Sequence, residues 1–348
     1  MKTKTQLLTI LAMAALLGAP GRVARAQDHA AEPAPAATMQ ADTQGAEQKA
    51  AGAESKKGEA EGPKDYIMPH VLNGHELAVP SFGHGLEKEI ELPHWAPIHI
   101  GSLTLDLSPT KHVVMLWIAS ALCLLVMLTA ASGAKKAHAA GRPATGLAGA
   151  IEAMVLYLRN DVILPNVGHH GEKYVPFCLS AFFMILFCNL LGLFPYMATA
   201  TGNISVTATL AILSFLMIEI AGMRALGGGY INTIVWWPHD LPVLVKGPVT
   251  LIMTPVEILG KFTKPFALAM RLFANMTAGH IAVLALIGMV FTFAQLLNYS
   301  PAAYGTALIP VALSTAIMGL EVFVAFLQSF IFMLLTAVFI GQIRESHH

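Results

Sequence analysis

Charge is what this sequence has least of. Only 12% of its 348 residues are Asp, Glu, Lys or Arg, against 55% hydrophobic, and the mean hydropathy is +0.61. A soluble domain carries about a quarter charged residues, so this chain is too poor in them for a water-exposed fold and reads as a polytopic membrane protein. The 21 basic and 21 acidic side chains cancel. With no basic face interleaved with aromatics, nucleic acid is excluded as the expected partner.

Cysteine is scarce as well. Cys123, Cys178 and Cys188 all lie in apolar runs, and no Cys-x-x-Cys pair exists, so they read as small buried hydrophobes and not as metal or redox ligands. Gly227-Gly228-Gly229 lacks the Lys and Ser/Thr of a phosphate loop and reads as a flexible turn. His70, His75, His84, His94 and His99 have no tight ligand spacing. Nothing resembles an activated nucleophile or a nucleotide-binding signature, and no cofactor is expected.

What charge there is sits unevenly. Residues 27–111 hold 13 acidic and 6 basic side chains, whereas residues 112–348 hold 8 and 11. Ahead of both, Lys2 and Lys4 precede an apolar run over residues 7–17, and Ala24-Arg25-Ala26 has the small-x-small form of a cleavage site. An 11-residue core is too short to span a bilayer, which favours a signal peptide over residues 1–26. Residues 27–63 have almost no large apolar side chain and read as a disordered exported leader. Residues 64–111 form a periplasmic pre-membrane segment with short alternating stretches such as residues 99–105. The membrane domain occupies residues 112–348.

Residues 113–131 are a 19-residue uncharged run, long enough to cross about 30 Å of hydrocarbon. Lys135, Lys136 and Arg142 follow it, which places that loop in the cytoplasm and the amino terminus outside. Residues 150–164 mix Glu152, Arg159 and Asp161 with apolar positions and suit a helix lying on the interface. Residues 175–196 and 204–223 form the second and third spans, with Pro195 ending the former. Residues 249–293 and 305–343 are too long for ordinary spans, the latter amounting to about 58 Å of helix. They are expected to form a steeply tilted hairpin.

The intramembrane charges lie on that hairpin. Arg271 sits in Phe266-Ala267-Leu268-Ala269-Met270-Arg271-Leu272-Phe273-Ala274-Asn275-Met276, where a cation that cannot lose its proton needs a partner or a watery cavity. Lys261 and Lys264 can snorkel to the cytoplasmic surface. His280 lies about 13.5 Å beyond Arg271 along the helix, and Glu257 about 21 Å before it. On the following helix Glu321 and Gln328 are seven apart and share a face, so Gln328 can reach the guanidinium and Glu321 can reach His280. Titratable groups on both sides of a permanent cation suit proton or ion translocation.

The run Met270 to Met276, then Ala278-Gly279-His280, and Leu327-Gln328-Ser329-Phe330-Ile331-Phe332 in the last helix resemble the two final helices of the membrane a subunit of F-type ATP synthases. Asn189-Leu190-Leu191-Gly192-Leu193-Phe194-Pro195 is similar to that family's proline-ended helix, and the resemblance covers residues 94–343. It implies an all-α polytopic fold with five transmembrane helices, one interfacial helix and a long tilted terminal pair. It further implies a stator packed against a rotating ring of c subunits, with peripheral-stalk b subunits and membrane lipids as further partners. Protons would enter one half-channel, ride the ring and leave through an offset one.

By the same resemblance Arg271 matches the essential arginine, and His280 and Glu321 the relay pair of the outside channel in reversed order. Gln328 matches the glutamine facing the arginine, Asn275 a channel-wall position and Glu257 a cytoplasmic-channel position. Glu219 is a weaker candidate for the exit path, with a packing or lipid-headgroup role as its alternative, and Asn189 reads as a packing amide. Gly192 departs from the acidic residue some members carry. The pairing of imidazole with carboxylate points to H+ as the transported ion, leaving Na+ open. A self-contained secondary transporter would show inverted repeats, which are not evident; a noncatalytic membrane scaffold is the third reading.

Overall fold

The computed structural model describes residues 22–23, 76–80, 87–93, 98–100, 103–106, 108–194, 199–234, 243–298 and 301–345. The signal-peptide core, the leader over 27–63 and His70, His75, His84 and His94 lie outside them. Ahead of the membrane part, β2 (Glu76–Pro80) pairs antiparallel with β3 (Glu87–Glu91). The alternation over residues 99–105 becomes β4 (Ile98–Ile100) paired with β5 (Leu103–Asp106), and the two-residue β1 (Arg22–Val23) adds to the other edge of β5.

The membrane part is helical throughout its regular structure. Five helices are long and apolar enough to cross a bilayer: α1 (Lys111–Ala139), α4 (Val175–Gly192), α5 (Ile204–Leu226), α6 (Val243–Leu296) and α7 (Pro301–Glu345). Between α1 and α4, α2 (Gly146–Tyr157) passes through a π-helical turn, Leu158–Ile163, into the short α3 (Leu164–Val167). This segment, expected on the interface, is not among the five. His138 reaches Glu152 at 3.2 Å and Arg159 reaches Glu172 at 3.3 Å, so Glu152 and Arg159 are matched locally.

Helix α4 is apolar all round and is accordingly the most enclosed of the five. Phe177, Leu179, Phe182, Met184 and Ile185 form the centre of the core, onto which α1 and the buried stripe of α7 (Ala325, Ser329, Met333, Thr336, Ile340) pack, while α5 packs against α6 and α7. It ends at Gly192, three residues before Pro195, because the residue preceding a proline is pushed out of the helical region. The side chain of Asn203 caps α5 by accepting from the Ser205 amide at 2.9 Å. At its other end the glycine run is not a loose turn: Gly227–Thr233 winds into a 3-10 segment.

The terminal hairpin is longer than the sequence indicates, with 54 residues in α6 and 45 in α7. Pro248, Pro255 and Pro265 are all accommodated within α6. About 30 Å of hydrocarbon needs only about 20 helical residues. Helix α6 is the least covered of the five, so one of its faces is left for lipid or another protein. The end of α7 is tied back to the interfacial segment, where the Arg344 guanidinium donates to the carbonyls of Val167 (2.6 Å) and His169.

Candidate functional site

The chemistry is distributed along α6, and helical periodicity sorts it by face. Ala269, Leu272, Met276 and Val283 recur at intervals of three, four and seven and are buried, which sets one stripe of α6 against the bundle. Arg271 and Asn275 are exposed on the other side together with Ala267, Ala274 and Ala278. Three alanines beside Arg271 leave its guanidinium standing on a shallow surface. Among the described residues no carboxylate forms an ion pair with it. Gln328, by contrast, is buried in the α7 stripe, and no hydrogen bond joins it to Arg271. Gln328 is thus enclosed while Arg271 is exposed.

Glu321 packs against Gly279, the residue preceding His280. The Glu321 carboxylate lies flat against this glycine, so that a Cβ there would meet Glu321 Oε1, with Cδ at 3.0 Å and Cγ at 3.2 Å. Glu321 Oε1 is buried and accepts no hydrogen bond among the described residues, and the Thr277 hydroxyl nearby is in the same condition. An acceptor and a hydroxyl left unsatisfied at membrane depth fit a route where protons or water pass.

A polar cluster missed in the sequence lies on the same side of the bundle. Lys111 and His112, taken there only as the membrane boundary, are 4% and 3% exposed, and Thr199, Thr201 and Asn189 are buried with them. His112 Nδ1 lies 3.0 Å from the Thr199 carbonyl. The Thr201 hydroxyl donates to Asn189 Oδ1 at 2.7 Å, and Asn189 Nδ2 donates to the Ala325 carbonyl of α7 at 3.4 Å. Asn189 therefore ties α4 to α7. The crowding of threonines over residues 199–209 was the available signal.

Gly192 has a steric reason for carrying no acid. Its Cα faces Thr199, and a Cβ would meet the threonine Oγ1 and come within 2.6 Å of its Cβ and Cγ2. Gly192→Asp is expected to lower stability by about 2 kcal/mol or more through overpacking. Thermal unfolding of the purified complex checks this, and an unchanged midpoint would mean that the loop yields freely.

At the opposite end of α6, on the side where Arg344 meets α3, a cavity of about 180 Å³ is lined by Glu219, Thr233, Glu257, Lys261, Lys264 and Gln342, among others. Lys261 does not snorkel outward as the sequence suggests. Its ammonium donates to Glu219 Oε2 at 3.4 Å, the Tyr230 hydroxyl at 3.2 Å and Thr233 Oγ1 at 3.2 Å. With α5 and the 3-10 segment folded over it, acceptors are nearer than water. Lys264 lies over the Phe339 ring at 4.9 Å. Glu257 is exposed, one turn before Lys261.

The family model described as ATP synthase A chain matches residues 113–341. ATP synthase subunit a of Chloroherpeton thalassium is 45% identical over 274 residues, covering 78% of this chain and 74% of that protein. ATP synthase subunit a 2 of Chlorobaculum tepidum is 43% identical over 305 residues, with 87% and 79% covered. ATP synthase subunit a of an Anaeromyxobacter species is 40% identical over 329 residues, with 86% and 74% covered.

Proposed function

Because the chain belongs to the ATP synthase A chain family, we propose that it couples ion translocation to ring rotation through the exposed guanidinium of Arg271. It is a multi-pass membrane subunit of an F-type ATP synthase, and neither a secondary transporter nor a scaffold is needed to account for it. Alone it carries out no covalent chemistry.

The observation that carries the reading is a permanent cation on the least covered helix, without a carboxylate of its own among the described residues. An arginine so placed in a membrane needs an anion from outside the chain. A ring of c subunits, each with one membrane carboxylate, supplies it in sequence, and the flanking alanines allow its helices to approach. On one side of Arg271 lie His280, Glu321 and Asn275; on the other lie Glu257 and the cavity around Glu219. These are the two half-channels. Since Arg271 stands between them, an ion passes only by riding the ring.

The Lys135, Lys136 and Arg142 loop sets the orientation in a bacterial inner membrane, with the amino terminus periplasmic. Five crossings then put the carboxyl terminus in the cytoplasm. The peripheral-stalk b subunits hold the subunit still. A relay built of an imidazole and a carboxylate favours H+ over Na+.

Cross-linking tests the ring-facing surface. With Cys123, Cys178 and Cys188 replaced, cysteines at Ala274 and Ala278 are expected to form disulfides with cysteines flanking the ring carboxylate. A cysteine at the buried Leu272 is not. Adducts from Leu272 and none from Ala274 or Ala278 would turn the wrong face of α6 to the ring.

A further inference from the structure

Two carboxylates border the inner cavity, but they are held differently. Glu219, on α5, and Lys261, on α6, have side chains only 14% and 13% exposed. An ammonium has three protons to donate, and those of Lys261 have three acceptors in Glu219, Tyr230 and Thr233. The Thr233 hydroxyl is itself oriented by donating to the Tyr230 carbonyl at 2.7 Å, and the Tyr230 ring lies 4.6 Å from the Lys261 nitrogen. Glu257 also lines the cavity, yet it is exposed and among the described residues forms no ion pair. Among the described residues the remaining charged or titratable groups nearby are Lys264, turned over Phe339, and Arg224, exposed at the end of α5; α7 contributes the neutral Gln342.

Taking the cavity as the cytoplasmic half-channel, on which this inference rests, we propose that Lys261 is a positioning residue that holds Glu219 out of the proton path, leaving Glu257 to exchange protons with the cytoplasm. Protonating Glu219 would leave the Lys261 ammonium buried without its counter-charge, a large penalty in a poorly solvated site. The pair also joins α5 to α6 across 42 residues of sequence, so it fixes the wall past which protons leave. Glu257 can gain and lose a proton without stranding a cation.

Two readouts test this in the intact complex reconstituted into vesicles. A hydrophobic carbodiimide modifies protonated carboxyl groups, and mass spectrometry of the native protein is expected to find it on Glu257 and not on Glu219. In K261M, Glu219 becomes reactive. Equal modification of Glu219 and Glu257 in the native complex overturns the proposal even if no variant assembles. In ATP-driven proton pumping, E219Q and K261M are each expected to lose about tenfold, since each strands one buried charge. The neutral pair E219Q/K261M is expected to recover to within about threefold of native, the signature of an interaction that matters only as a pair. A double variant as inactive as E219Q means that Glu219 carries protons, which overturns the proposal alone. Full pumping in E257Q removes the half-channel from this cavity, and the proposal falls with that reading.

Discussion

In complexes carrying Arg271→Ala, proton-driven ATP synthesis is expected to fall by about a hundredfold or more while assembly persists. Arg271 is exposed on α6 and makes no ion pair among the described residues, so removing it breaks nothing inside the subunit. What is lost is the cation that an ionised ring carboxylate meets between release and reloading. Breaking a charge pair at low dielectric costs about 3 kcal/mol or more, and each 1.36 kcal/mol is about tenfold in rate. The cation also stands between the two channels. Passive proton conductance of the membrane sector, measured after removal of the soluble head, is therefore expected to rise in the same variant. Arg271→Lys retains the charge as a point without the planar fork and should recover only part of the activity. Native synthesis rates in assembled Arg271→Ala complexes would falsify the central assignment.

The second large effect concerns the pair beyond Arg271. Truncating His280 or Glu321 to alanine is expected to slow ATP-driven pumping by about a hundredfold, the scale of losing a positioned proton donor or acceptor. Exchanging them, as His280→Glu with Glu321→His, keeps one imidazole and one carboxylate and should restore part of the rate. A sharper probe leaves both residues in place. Because the Glu321 carboxylate rests on Gly279, with a Cβ there falling within 3.0 Å of its Cδ, Gly279→Val must push the acid aside. It should impair pumping nearly as much as Glu321→Ala, whereas Gly279→Ala, which the flexible end of the glutamate can evade, should do less harm. Unchanged pumping in Gly279→Val and in both alanine variants would take the pair out of the route.

Much of the architecture is written in hydropathy. Each of the five apolar stretches became a helix, with the first running eight residues past its expected end at 131 and the terminal pair longer than expected, because at membrane depth a backbone can satisfy its own hydrogen bonds only as a helix or a closed barrel. That the segment between the first two spans is helical yet not a span was legible in its mix of Glu152, Arg159 and Asp161 with apolar positions. Its π-helical turn was not. The glycines at 227–229 read as a loose turn and proved to begin a 3-10 segment that carries Tyr230 and Thr233 to Lys261. The buried Lys111 and His112 were misread for a related reason. A charged or titratable residue at the edge of an apolar run looks like a boundary until neighbouring loops close over it.

Composition and periodicity by themselves determined that this is a five-span membrane protein and that Arg271, His280, Glu321 and Glu257 are the charges to explain. Spacing along a helix states which residues share a face. It does not state which face is covered, and only the packed bundle left Arg271 exposed and Gln328 buried. Nor can it pair groups that are distant in sequence. Glu219 found Lys261, Asn189 reached the α7 backbone and Gly192 met Thr199 because α4, α5, α6 and α7 lie side by side. Hydrogen bonds and steric contacts act over a few ångströms, so they belong to the tertiary structure and leave little trace in the order of the residues.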